Sequence, residues 1–275
     1  GMRCRLSTSM VSAVVGGTWS TNRRAITEVD LHGHIVIVDG AELFYEMQSL
    51  VSMPYLPGQS VTSSVHGVSY AWMFQDDWKL EQAESISHWD TRNVTYMRGM
   101  FMDAYVFNQP VSNFNTSKVT GMSLMFHDAY AFNQSVSNFD TSNVTDSGGM
   151  LAMFSGAYAF NQPVSKFDTS KVTDMSGMFW DAHAFNQSVS NFDTSQVGNM
   201  SGMFENALAF NQSVSNFNTS KGTDMSYMFY EAEAFNQPVS SFDTSQVGNM
   251  SGMFENAEAF NQSVSNFNTS KVTDM

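Results

Sequence analysis

The chain has 275 residues, a formal charge of −14 and only 14% charged side chains, against roughly 25% in ordinary soluble domains. Ser, Asn and Thr fill the gap, so the surface is expected to be polar but weakly ionic; calcium or basic partners suit it, phosphate backbones and anionic lipid surfaces do not. One cysteine, Cys4, rules out an internal disulfide framework, and no run reaches the ~18 apolar residues that suggest a transmembrane segment.

From the N-terminus, the segment MVSAVVGG (residues 10–17) comes after two arginines but is too short and weak for a signal peptide. Ile26, Val29, Leu31 and His34 then fit the spacing LxxLxLxxN, with His34 in the asparagine place. LFYEMQSL (Leu43 to Leu50) is a weak copy of a unit that recurs through the rest of the chain. MFQDDWKLEQAESISHWDTRNV (Met73 to Val94) is a clearer copy, with Leu80 in a phenylalanine place and two residues inserted before Ser85. Beyond it the period is plain. The FNQ phenylalanines Phe107, Phe132, Phe160, Phe185, Phe210, Phe235 and Phe260 lie 25 residues apart, except for one step of 28 whose extra residues fall in VTDSGGMLAMF. Residues 192–225 and 242–275 are the same text with two changes, Leu208 for Glu258 and Gly222 for Val272.

Self-similarity at this period is the mark of an array whose units contact only their neighbours. The expected fold is an α/β repeat solenoid, with residues 1–72 as degenerate N-terminal coils or cap and residues 73–275 as about eight 25-residue repeats continuous with them. Within one unit, Val247, Met250, Met253, Phe254, Ala257, Phe260, Val264 and Phe267 form the apolar set. Met253, Ala257 and Phe260 share one face of a short helical turn, for which Ser251 is a reasonable N-cap. QSVSNF and VTDM are brief β-compatible runs separated by NTS or DTS turns, so each coil is expected to carry one helical turn and short parallel strands.

The methionines fall at inward positions and read as gap-filling core rather than soft-metal ligands. The FNQ asparagines Asn108, Asn133, Asn161, Asn186, Asn211, Asn236 and Asn261 are expected to form an internal ladder that satisfies loop backbone groups. Among six histidines only His32 and His34 are close, and no third ligand stands beside them. No catalytic triad, P-loop or paired-carboxylate pattern rises above the background of the repeat, so no catalytic, cofactor or metal site is expected.

Variation between copies is more informative. In MFxxAxxFNQ the first free position runs Met102, His127, Ser155, Trp180, Glu205, Tyr230, Glu255, and a later one runs Tyr105, Tyr130, Tyr158, His183, Leu208, Glu233, Glu258. Aligned aromatics suggest a contact with protein or glycan, which makes Met102, Tyr105, His127, Tyr130, Tyr158, Trp180, His183 and Tyr230 the candidate interaction stripe; the alternative reading is lateral packing within the coil with neutral drift between copies. The regular Thr116, Thr141, Thr169, Thr194, Thr219, Thr244 and Thr269 carry a further expectation: outward and flat, they would suit ice or mineral; turned inward, they would serve as hydrogen-bonded turns.

The unit VTDMSGMFxxAxxFNQxVSxFDTSxVTDM, as at Val172 to Met200, resembles the 25-residue repeat of BspA-like leucine-rich-repeat surface proteins, also found in mycoplasma lipoproteins and in surface proteins of bacteria and microalgae. The usual tryptophan before DTS persists only at Trp89 and is phenylalanine thereafter. The resemblance implies a right-handed leucine-rich-repeat-like superhelix that is extracellular, non-enzymatic and active in adhesion or protein interaction. GMRC followed by TWSTNRRAITEVDLHGH resembles the N-terminal cap of plant-type leucine-rich repeats, which implies a partner for Cys4 upstream. The expectation is an adhesion module at the cell surface, part of a longer chain, with a protein or glycan partner; alternatives are a self-associating subunit of an extracellular filament or coat and, after it, an ice- or mineral-binding protein.

Overall fold

The computed structural model describes residues 2–7, 23–56, 59–64, 67–145 and 147–275. The segment MVSAVVGG, the TWSTN part of the cap-like motif and His66 lie outside these residues, as does the Cys4 side chain, although the Cys4 backbone belongs to a strand.

Three parallel strand pairs open the chain: β1 (Met2–Ser7) with β2 (Ile26–His32), β3 (His34–Ile37) with β4 (Ser60–Ser63), and β5 (Val68–Ser69) with β6 (Val94–Tyr96). Each partner lies roughly one repeat further on, so the pairing is always between successive coils. Ile26, Val29 and Leu31 of β2 are buried, whereas His34, in the asparagine place, is exposed. Later in the chain the strands shrink to single parallel bridges, Asp174 to Asn199 to Asp224 to Asn249 to Asp274.

The expected helical turn in each coil does not form. Among the described residues the only helical segments are two short 3-10 turns, Arg23–Ala25 and Glu84–His88. In its place stands a run of tight turns whose N–H groups alternate in direction. Met97, Gly99, Phe101 and Asp103 donate to the carbonyls of Gly121, Ser123, Met125 and His127 in the next coil at 2.8–3.0 Å. Met100, Met102 and Ala104 donate back three residues within their own coil. A helix would spend its N–H groups internally and leave few for the next coil; the alternation satisfies the buried backbone in both directions. It places left-handed residues four apart in each coil, such as Gly99 and Asp103, or Gly202 and Asn206; Gly, Asp and Asn suit these positions and hold most of them, with Glu42, Glu46, Trp72, Leu124, Ala152, Tyr227 and Glu231 at the others. Ser251 is accordingly not a helix N-cap: its N–H donates to Asn249 Oδ1 at 3.1 Å, in a side-chain turn repeated at Asp174, Asn199 and Asp224.

The apolar set points inward and stacks in columns. Phe44, Phe74, Phe101, Phe126, Phe154, Phe179, Phe204, Phe229 and Phe254 succeed one another at centroid spacings of 5.1 to 5.8 Å. The FNQ phenylalanines form a second column from Phe107 to Phe260 at 5.9 to 6.1 Å. Methionines such as Met97, Met100, Met122 and Met125 are fully buried between them. The three extra residues are absorbed between Thr145, still bonded to Thr120, and Leu151, where the inter-coil ladder resumes.

Candidate functional site

Two polar ladders flank this core. From Asn108 to Asn236 each FNQ asparagine accepts through Oδ1 both the backbone N–H of its counterpart in the next coil and the amide of the glutamine beside that counterpart: Asn133 N–H and Gln134 Nε2 reach Asn108 Oδ1 at 2.9 and 3.1 Å, and the last pair of donors is Asn261 and Gln262. The ladder is not internal: these asparagines are half-buried or exposed, because the phenylalanine beside each takes the inward position.

The threonines form the inner ladder. Thr116, Thr141, Thr169, Thr194, Thr219 and Thr244 are buried, and each hydroxyl donates to the carbonyl just before the next threonine, at 2.9–3.2 Å. Thr116 Oγ1 in turn accepts the Asp140 N–H at 2.7 Å. A hydroxyl spent on the backbone presents no outward lattice, which removes the basis for the ice- or mineral-binding expectation.

The candidate stripe separates into parts with different surroundings. Tyr105, Tyr130, Tyr158 and His183 stack face to face at 4.6 to 4.7 Å. Trp78, which the degenerate copy from Met73 to Val94 hides from the sequence pattern, extends the column at 6.0 Å. Tyr158 is 39% exposed. Aspartates at left-handed positions run beside these rings. Asp103 is pushed up to about 6, by burial first and then by Asp76 and Asp128. Tyr130 is raised to about 12 by desolvation and by Asp128. Asp128 is itself raised by burial, against the opposing pull of His127, whose Nε2 lies 3.6 Å away.

Met102 and His127 are half-buried, while Trp180 is 42% exposed at the edge of an open cleft of about 340 Å³. Leu151 and Ala152 of the preceding coil and Tyr227, 43% exposed, two coils after Trp180, also line the cleft. Gly177, in the same coil as Trp180, and Gly202, in the next, both left-handed, line it too, with Glu205 beside the second. A Cβ on Gly202 would come within 2.9 Å of Glu205 Oε2. Tyr230 meets Tyr227 edge to face at 5.7 Å. Glu205 is raised to about 7, mainly by desolvation and then by Asp181 and Glu231. The sequence does not single out Tyr227, because it occupies a position that is Gly99, Gly177, Gly202 or Gly252 in other coils, a turn position rather than a free one.

Elsewhere, Asp77 replaces the alanine of the repeat and is fully buried; it accepts the Met47 N–H at 2.7 Å, and burial raises its pKa well above the usual carboxylate range. His32 is half-buried, with no hydrogen-bond partner at Nε2. Among the described residues no group of three His, Cys, Asp or Glu is placed to hold a metal, and no helix is long and apolar enough to cross a membrane.

Comparison with curated proteins and with solved structures gives no match. A family model does match, three times over, at residues 42–152, 135–232 and 189–275, so that together the matches cover residues 42–275. The chain belongs to the family described as "Mycoplasma protein of unknown function, DUF285".

Proposed function

We propose that the chain is a non-enzymatic interaction module at the cell surface, a right-handed leucine-rich-repeat-like solenoid that presents side chains in register for adhesion or protein binding. The observation that carries this reading is the column Trp78, Tyr105, Tyr130, Tyr158 and His183, partly exposed along one edge of the array. Nearly every coil spends its backbone and inward side chains on its neighbours, so from Phe107 onward the inward positions stay nearly constant while the outward ones vary between copies. Rings with polar tips on a rigid support lose little entropy on binding and bury large area. The absence of a catalytic pattern in the sequence fits a scaffold rather than an enzyme.

The test is cross-linking on intact cells, with a photoreactive residue at Tyr105, Tyr130 or Tyr158 and mass spectrometry of the adducts. Adducts to a different protein or to a glycan support the module and place its site. Adducts only between copies of this chain would replace it with a subunit of an extracellular filament or coat.

A further inference from the structure

The cleft at Trp180 has its own chemistry. Its lining serines are already engaged: Ser176, Ser201 and Ser226 donate to Asp174 Oδ1, Asn199 Oδ1 and Asp224 Oδ1 at 2.6, 2.8 and 2.6 Å. Few hydroxyls remain to recognise a sugar. What faces the cavity is a carboxylate, Glu205, with Trp180 one coil before it and Tyr227 one coil after. No lysine or arginine among the described residues forms an ion pair with Asp181, Glu205 or Glu231; the only such contact is His183 with Asp181 at 3.9 Å. The negative charge there is unmatched within the chain, on a protein of net charge −14.

The same sequence around Glu255 does not repeat the site. There the preceding coil carries Tyr227 in place of glycine, and a Cβ on Gly252 would meet the Tyr227 ring at 2.7 Å, so the trough is filled. At Gly202 the preceding position is Gly177 and the trough stays open.

We propose that this cleft binds an organic cation, the guanidinium or ammonium of an arginine or lysine on a protein partner, held between the Trp180 and Tyr227 rings with Glu205 as its counter-ion. Aromatic faces attract cations through their quadrupole, and the attraction grows as the site is shielded from water. The Glu205 carboxylate in the lining supplies the charge-assisted hydrogen bond that fixes orientation. The desolvation that raises Glu205 is the condition that a bound cation relieves. The inference rests on the reading of the array as an interaction module and names the chemistry of one partner group.

The experiment is a titration of the whole chain with N-acetyl-arginine amide, monitored by the Trp180 indole N–H signal in a ¹⁵N correlation spectrum and assigned by its loss in Trp180→Phe. A saturable shift in the millimolar range is expected, with none from the neutral isostere N-acetyl-citrulline amide. Glu205→Gln is expected to weaken binding by about tenfold, whereas Glu255→Gln, with the same change in net charge, leaves it unchanged. Tyr227→Ser, at an exposed side chain, is expected to weaken it about threefold and serves if the first variant disturbs the other indole signals. Equal effects of Glu205→Gln and Glu255→Gln, equal binding of citrulline, or no saturable shift would each overturn the proposal. A missing partner in the cross-linking experiment does not alter this titration, and a failed titration leaves the tyrosine column untouched.

Discussion

Residues 192–225 and 242–275 differ at two positions, and the structure gives them the same backbone and different environments. Gly202 and Asn206 have φ of 58° and 53°; Gly252 and Asn256 have 57° and 57°. Phe204 and Phe210 pack against each other at 3.9 Å, and Phe254 and Phe260 at 4.1 Å. Yet Val214 is fully buried while Val264 is 43% exposed, and Thr219 is buried while Thr269 is exposed. Within the described residues the first copy is bonded to a coil on each side and the second to the coil before it. In this fold local sequence dictates the path of a coil, and the adjacent coil dictates what that path is worth in free energy.

The largest test of that statement is the ring column. Phe204→Ala removes a fully buried ring stacked on both sides and is expected to cost about 3–5 kcal/mol, as large core truncations do; Phe254→Ala, stacked on one side and partly exposed, is expected to cost less than half as much. Chemical denaturation of the two variants gives both values, and equal costs would break the comparison.

Next is the inner ladder. Thr219 donates to the Asp243 carbonyl at 2.9 Å in a buried setting. Thr219→Val is therefore expected to destabilise by about 1–3 kcal/mol through an unsatisfied carbonyl, and Thr269→Val to be close to neutral in the same assay.

The turn residues sharpen the comparison from the other side, because their strain is local. Asn256→Ala is expected to cost about 1 kcal/mol although Asn256 is exposed, since the short polar side chain of asparagine tolerates the left-handed region and that of alanine does not, in any environment. Asn256→Gly should cost nothing measurable, and thermal unfolding separates the two.

The smallest effect is electrostatic. Between the ordinary glutamate value of 4.5 and about 7, the folded chain retains on Glu205 a proton that the unfolded chain releases. Stability from this group therefore falls as pH rises through that window. Glu205→Gln is expected to add roughly 1 kcal/mol above pH 7 after allowance for solvent screening, and nothing below about pH 4. Denaturant midpoints of the variant and the parent chain across that pH range check the sign.

Legibility in the sequence divides along the same line. The period, the inward set and the three-residue insertion can be read directly, since each core position recurs every 25 residues and burial selects the same residue types each time. The turn geometry cannot. Met253, Ala257 and Phe260 have helical spacing, but the turns that replace the helix put the same residues inward, so the pattern does not distinguish the two. Glycine, aspartate and asparagine four apart are the signal for left-handed turns; they read more simply as surface polarity. The threonine and asparagine rows are both visible as rows, and only the stacking makes the threonines face inward and leaves the FNQ asparagines near solvent.

The candidate site divides likewise. Tyr105, Tyr130, Tyr158 and His183 are legible because they occupy one register position, and positions one repeat apart become neighbours once coils stack. Trp180 is legible by the same rule, but its cleft is not, because the cleft depends on which residue of the preceding and succeeding coils fills or leaves open a turn position.

Periodic burial imposes periodic chemistry, so the repeat, the core set and the register in which variable side chains line up are all written in the linear chain. The turn geometry, the inward or outward sense of the polar ladders, and the open cleft at Glu205 but not at Glu255 arise only when the coils stack, although the two glutamates share the same local sequence. Those outcomes depend on contacts between residues about 25 positions apart, repeated from coil to coil, and no local window along the chain contains them.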